Sequence, residues 1–310
     1  MSTSPDVERF AAETHLEVYR PYRGSLKGGG SGVGALLALG LRVAWKRKLA
    51  LVVLYAFPLI ATVVYSFFVY SFYAVETVGI MGQDTPALLD MLAKQAMKNF
   101  EVRTQIVRFL AEVMPFALLT SAWYGTGLIA NDLRAGALQL WFARPLGRTA
   151  YVFARFLTVG AFSSLAILVP ALVILLVATV NSPDYSFVSD EPDLFWRVPA
   201  YGLLWVTITA LVALAVSAVA TKRTWALAGF FGVFLLPEAC SKVLGYVVHR
   251  DWRALGTLES LDKLSEVVLA YPGNLTPPFP PGLAWLNVTL LGALAIVVVW
   301  VRIRRVEVVG

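Results

Sequence analysis

The sequence predicts an all-α polytopic membrane protein with six transmembrane helices. Six long apolar stretches lie between Leu49 and Val301. Only 15% of the residues are charged and 58% are hydrophobic, where an average soluble domain carries about 25% charged residues. The cations gather in alternate loops. With the N-terminus in the cytoplasm, seventeen of the 26 Lys and Arg fall inside. Eight of these come up to Lys48, and the rest are Arg134, Arg144, Arg148, Arg155, Lys222, Arg223, Arg302, Arg304 and Arg305. That is the positive-inside pattern of a membrane chain. The net charge of +6 is thereby used up in topology, and no nucleic-acid surface is expected.

Residues 1–34 read as a cytoplasmic tail and linker. Asp6 to Arg20 can form a short helix, with Val7, Phe10, Ala11, Thr14 and Val18 on one side. The GGGSGVG run that follows lacks the Gly-Lys-Ser/Thr ending of a phosphate loop and suits a flexible connector. Residues 35–48 mix Leu36, Leu39 and Val43 with Arg42, Lys46, Arg47 and Lys48. This pattern suits an interfacial helix with its apolar face in the acyl boundary and its basic face on anionic membrane lipids.

The transmembrane domain occupies 49–301. Its first stretch, Leu49 to Val75, contains no Asp, Glu, Lys, Arg or His and is long enough for a hydrocarbon core of about 30 Å. The others are Val113–Asn131, Phe156–Pro183, Val198–Thr221, Thr224–Pro237 with an apolar continuation to Val248, and Leu283–Val301. Trp45, Trp225 and Trp300 fall at inner edges, and Tyr70, Tyr73, Trp196 and Trp285 at outer ones, as interfacial aromatics do. The outer loop at 248–282 combines an amphipathic helix with a rigid TPPFPPG segment. Residues 302–310 form a short cytoplasmic tail. The expected location is the cell inner (plasma) membrane, multi-pass, with both termini cytoplasmic. No cleavable signal peptide is expected. Cys240 is the only cysteine, and His15 and His249 are isolated, so neither a disulfide nor a metal site is expected.

The most informative polar segment joins the second and third stretches. It reads NDLRAGALQLWFARPLGR from Asn131 to Arg148. Asn131 or Asp132 can cap a helix there, and Arg144-Pro145 followed by Gly147 ends it. Leu133, Ala137, Leu140 and Trp141 recur at helical spacing. Gly136 permits close backbone approach. The resulting short amphipathic helix, about 132–148, is rimmed by Arg134, Arg144 and Arg148 and has more apolar surface than a connector needs. The alternative is an ordinary capped cytosolic loop.

This segment resembles the signature between the second and third spans of ABC type-2 (ABC-2) exporter permeases. Asp132, Gly136, Leu138, Arg144, Pro145 and Arg148 match it; Ala137 stands where Thr is common, and Asn131 precedes the acid. The resemblance implies that the chain is a permease subunit with an N-terminal elbow helix and a cytoplasmic coupling helix. It implies two copies of an ABC ATP-binding subunit as partners, with a second permease copy or a paralogue. Asp132, Arg134, Gly136, Leu138, Trp141, Arg144, Pro145 and Arg148 would then couple the chain to the ATPase. ATP and Mg would sit in that partner, and no cofactor in this chain. No Gly-x-x-x-x-Gly-Lys-Ser/Thr loop occurs in the 310 residues, so the chain is not expected to be an enzyme.

Two charged pairs fall in or beside the spans. Arg108 and Glu112 are four apart at the outer start of the second, and Glu238 and Lys242 are four apart past Pro237. Such pairs share a helix face and are expected to meet protein or water rather than lipid. They either line an outward-opening cavity or mark helix ends at the surface. Two other functional classes remain open: an ion-driven secondary transporter, which needs several intramembrane acids and an inverted repeat, and an intramembrane lipid-modifying enzyme.

Overall fold

The computed structural model describes residues 30–46, 48–78, 101–142, 147–271, 276 and 278–305. The possible helix at Asp6–Arg20 lies outside them. In chain order the α-helices are α1 (Gly30–Trp45), α2 (Lys48–Val78), α3 (Val102–Gly125), α4 (Leu128–Arg134), α5 (Ala137–Phe142) and α6 (Arg148–Ala166). There follow α7 (Leu168–Asn181), α8 (Ser186–Asp190), α9 (Leu194–Val219), α10 (Arg223–Val247), α11 (Thr257–Val268) and α12 (Pro281–Arg304). Short 3-10 turns at Pro183–Tyr185 and Arg250–Leu255 complete the list, and no strand occurs among the described residues.

Among the described residues, six helical segments are long and apolar enough to cross a membrane: α2, α3 continued through α4, α6, α9, α10 and α12. The pair Leu168–Asn181 and Pro183–Asp190 bends by 111° and would add a seventh if counted as one span. The centre of the bundle is α9, of whose apolar window 67% is buried, against 22% for α10. A helix that is apolar on every side belongs in the middle, and α9 packs on α3, α6, α10 and α12.

The second span begins at Val102, eleven residues ahead of the apolar stretch read from Val113, because Arg108 and Glu112 lie within a continuous helix. The fifth runs through Pro237 to Val247. The third stretch, read as one span, is divided at Ile167. The cause is Pro170. It has no N–H to give the Ala166 carbonyl, and its ring crowds that carbonyl. One helix therefore stops at Ala166 and the next restarts with Pro170 in its first turn, where a missing donor costs little. At the N-terminus, Gly30 to Gly34 join α1 instead of the linker, and α1 ends at Trp45.

Two features draw the central helices together. Ser121 of α3 bonds Ser163 of α6 at 2.7 Å and Thr209 of α9 at 3.0 Å, so each buried hydroxyl there has a partner. Nearer the loop ends, a Cβ on Gly125 would stand 2.5 Å from that of Ala213. Only a residue without a side chain lets α3 and α9 approach so closely. Gly125→Val is therefore expected to cost about 1–3 kcal/mol through overpacking and to lower the thermal unfolding midpoint of the detergent-solubilised protein. Gly34→Ala, with open space around it, is the control and should not lower it.

Candidate functional site

The segment from Leu128 to Phe142 leaves the base of the second span as two short helices rather than the single helix expected from Asp132 to Arg148. Asn131 and Asp132 lie inside α4 and do not begin a helix. The start of α4 is instead capped from a neighbouring span: the Ser217 hydroxyl of α9 accepts the backbone N–H groups of Ile129 and Ala130, each at 3.0 Å. These first-turn donors have no partner within their own helix.

The end of α4 is set by Gly136, whose φ is +65°. This left-handed conformation is strained for residues with a Cβ and is how many helices stop. No atom lies within 4 Å of a Cβ built on Gly136. Within this chain its need is therefore for a backbone angle.

Asp132 does not face outward. Its carboxylate accepts a hydrogen bond from the Tyr151 hydroxyl at 2.5 Å and pairs with the Arg155 guanidinium. Arg155 itself lies 5.4 Å from the Tyr151 ring centroid. Arg155 and Tyr151 belong to α6 and are buried, Arg155 at 6% exposure. Sequence reading had placed Arg155 among the loop cations; in the fold it is the counter-charge that ties α4 to the base of α6. Leu138 is buried at 2%, and Trp141 packs half-buried against the same core. Arg134 is exposed and Arg148 half-buried. Arg144 and Pro145 lie outside the described residues. A cleft of about 310 Å³ opens beside the cluster, lined by Gly40, Trp123, Asn131, Asp132, Trp141 and Arg155 among others.

Residues 34–261 match the family described as ABC-2 family transporter protein. The chain belongs to that family. No curated protein matches it. As an ABC-2 family chain it is a permease, the membrane component of an ABC transporter. The matched region takes in most of α1, all of the Asp132 cluster and the charged pair of α10.

At the opposite end of the permease lie the two candidate charged pairs. Glu238 and Lys242 meet at 3.2 Å. Arg108 and Glu112 are both exposed on α3, on the side that faces Tyr65 of α2. Glu238, at 8% exposure, has a further task, because its second oxygen accepts the Glu259 N–H at 3.2 Å. Glu259 is in the first turn of α11, so Glu238 caps that helix from α10. The far end of α11 is gripped by cations. Arg103 donates to the Leu269 carbonyl at 2.5 Å and Arg197 to that of Val268 at 2.8 Å. Both are held in turn by Asp193, at 2.9 Å and 2.7 Å, and Arg103 also by Glu191. An anion at the start of α11 and cations at its end both complement the helix dipole. Neither Arg103 nor Arg197 was visible as a site residue, since the α11 carbonyls they hold are 166 and 71 residues away; only Arg197 with Asp193, four apart, follows helical spacing. Burial works against the charged form of Asp193, yet the hydrogen-bonded Arg103 with Arg197 beside it holds its carboxyl below the usual value. Lower on the same helix, Glu266 accepts the backbone N–H and the hydroxyl of Thr276 at 2.7 and 3.0 Å, tethering the Pro-rich segment.

Breaking a buried ion pair from one side costs about 3–5 kcal/mol. Asp132→Asn and Arg155→Gln should each lower the unfolding midpoint sharply, while Tyr151→Phe should cost about 1 kcal/mol. The double variant Asp132→Leu with Arg155→Met should recover part of the loss, which a thermal shift series would reveal.

Acid pressure within α11 gives a second expectation. Burial, with Glu238, Glu259 and Glu266 nearby and only partial relief from Lys242, pushes the Asp262 carboxyl up to about 7. The folded state then holds this proton more tightly than the unfolded chain. The stabilisation is complete below the ordinary value of 3.8 and is lost as pH rises through about 7. Hydrogen exchange at α11 amides, corrected for intrinsic rates, should accelerate across that window, and Asp262→Asn should flatten the response.

Proposed function

We propose that this ABC-2 permease is the membrane half of an ATP-driven exporter of a substrate yet to be identified. In this reading it works as a dimer with two copies of a separate ATP-binding subunit, which carry the ATP and Mg. Its place is the cell inner (plasma) membrane with both termini cytoplasmic. The segment Leu128–Phe142 docks on the ATPase, and alternating access follows when ATP-driven closure of the partners pushes that segment.

The observation that carries the reading is the way the segment is built. It is capped by Ser217, stopped at Gly136 and locked to α6 through Asp132 and Arg155. A push on it therefore reaches α9 and α6 as a rigid displacement instead of being absorbed by a loose loop. Arg134, which is exposed, and the half-buried Trp141 are assigned to the docking surface, together with Leu138, Arg144, Pro145 and Arg148 as its support and rim. Asp132 and Gly136 shape it from within. Arg108 and Glu112 lie exposed on one face of α3. Ionisable groups at membrane depth face protein or water, so this face is assigned to the seam between the two permease copies. Glu238 and Lys242 belong to the outer closure around α11.

The test is association and ATP turnover of the complex. The wild-type chain purified from its native membrane should bring an ATP-binding subunit with it. Trp141→Ala combined with Arg134→Glu should weaken the association at least tenfold, as loss of an aromatic or Arg anchor does, and uncouple transport from ATP. Gly136→Asn, which tolerates the left-handed angle, should be milder than Gly136→Val. Absence of any ATPase partner, or transport that survives ATP depletion on a proton gradient, would overturn the proposal.

A further inference from the structure

The corner where α1 passes into α2 has a chemistry that neither the coupling segment nor the outer closure uses. Arg42 and Lys46, at the end of α1, and Lys48, the first residue of α2, are all exposed. None of the three has an ion-pair partner among the described residues. The first turn of α2 contains no acid, so the positive end of the helix dipole adds to the same field.

Two adjoining troughs share Lys46 and Lys48 as their common wall. One, of about 470 Å³, is lined by Leu41, Arg42 and Trp45 with the two lysines. The other, of about 500 Å³, runs from the lysines along Leu49, Val53 and Leu54 to the Trp123 ring of α3. No acidic residue lines either. The indole is fixed in place, since the Arg223 guanidinium stacks over it at 4.6 Å and donates to the Trp123 carbonyl at 2.9 Å. Leu49 and Val53 are 80% and 63% exposed, so the second trough opens sideways onto the apolar surface of α2.

Cations at the mouth and an apolar channel behind them match one class of molecule, an amphiphile whose head carries phosphate. We propose that an anionic phospholipid binds at this corner. Its phosphate sits on Arg42, Lys46 and Lys48, and one acyl chain lies along Leu49, Val53 and Leu54 against Trp123. Inorganic phosphate would meet the cations but leave the trough unfilled. A zwitterionic lipid would fill the trough but carry its own cation into a field already positive. The bound lipid would also steady α1 on α6, the helix clasped to Asp132: α1 buries Leu36, and a Cβ on Gly40 would stand 2.8 Å from Thr158.

The full-length protein, reconstituted in phosphatidylcholine nanodiscs with phosphatidylglycerol added, tests this through the lipid it retains on release into native mass spectrometry. Retained phosphatidylglycerol is expected at one site per chain. Neutralising a single cation should weaken it about fivefold, equivalent to about 1 kcal/mol, and the triple variant Arg42→Gln, Lys46→Gln, Lys48→Gln should abolish the preference over phosphatidylcholine. Val53→Trp, which obstructs the trough at an exposed position and leaves the charge untouched, should also release the lipid. Leu49→Asp provides the same test from the trough mouth if Val53→Trp does not fold. Undiminished retention in the triple variant overturns the site. Loss in the triple variant with full retention in Val53→Trp and Leu49→Asp also overturns it, because attraction would then be a diffuse surface effect. Displacement of the lipid by inorganic phosphate at matching concentration would reassign the cations to a free anion.

Discussion

The pairing of Asp132 with Arg155 is the constraint on which one end of the bundle depends. A guanidinium that is almost wholly buried has lost its hydration, and no arrangement of apolar neighbours restores it. Asp132 and the Tyr151 hydroxyl supply what water no longer does, while the Arg155 Nε is left without an acceptor. Moving α4 away from α6 would leave both charges stranded at once. The two helices are therefore a single mechanical piece, although a turn, α5 and residues outside the described set separate them in sequence. Ser217 extends that piece to α9, the most central helix. A short surface segment is thereby joined to the middle of the bundle through three polar contacts.

The other end is secured by a different physical device. There α11 lies with its orphan N–H groups over Glu238 and its last carbonyls over Arg103 and Arg197. The charges satisfy backbone groups and oppose one another along the helix, so the helix is held by its ends as well as by the buried face of Leu261 and Leu264. Such a closure is stiff while every ion keeps its partner and loosens in steps when one is lost. It also concentrates acids: Glu238 of α10 lies against Glu259, Asp262 and Glu266 of α11, and burial with neighbouring Glu238 raises the Glu259 carboxyl above its usual value. Between the two ends, Ser121, Ser163 and Thr209 form a neutral layer whose exchange of partners costs far less than separating ions. Polar strength therefore lies at the two ends of the permease, and the waist between them is the softer part.

The spans were legible because hydropathy is a local property, and twenty apolar residues report their environment without help from the rest of the chain. The break at Ile167 has its cause in the sequence but not at its own position: Pro170 acts four residues earlier, at the carbonyl its ring crowds. Gly136 was singled out for close approach, and the fold adds a second reason, its positive φ. A single sequence cannot separate those reasons, since both call for the same residue. The site partners were beyond reach for a different cause. Arg103 meets Asp193 and Leu269 across 90 and 166 residues, and Asp132 meets Arg155 across 23. Helical periodicity relates residues three or four apart, which is why Glu238 with Lys242 could be foreseen.

The placement of the signature residues separates shape from contact in the coupling segment. Asp132 and Gly136 are two of the positions by which the segment resembles ABC-2 permeases, and each has a role inside this chain. One points into the bundle at Tyr151 and Arg155, and the other sets a backbone angle in open space. Side chains that define a segment's conformation have few acceptable substitutes, because a buried pair needs its counter-charge and a left-handed angle favours glycine. Side chains that touch a partner have many, provided the partner changes with them. The recognisable part of such a segment is therefore its internal scaffold. The surface it presents is less constrained, and on the proposed function its groups, Arg134 and Trp141 among them, are free to be specific to one ATPase.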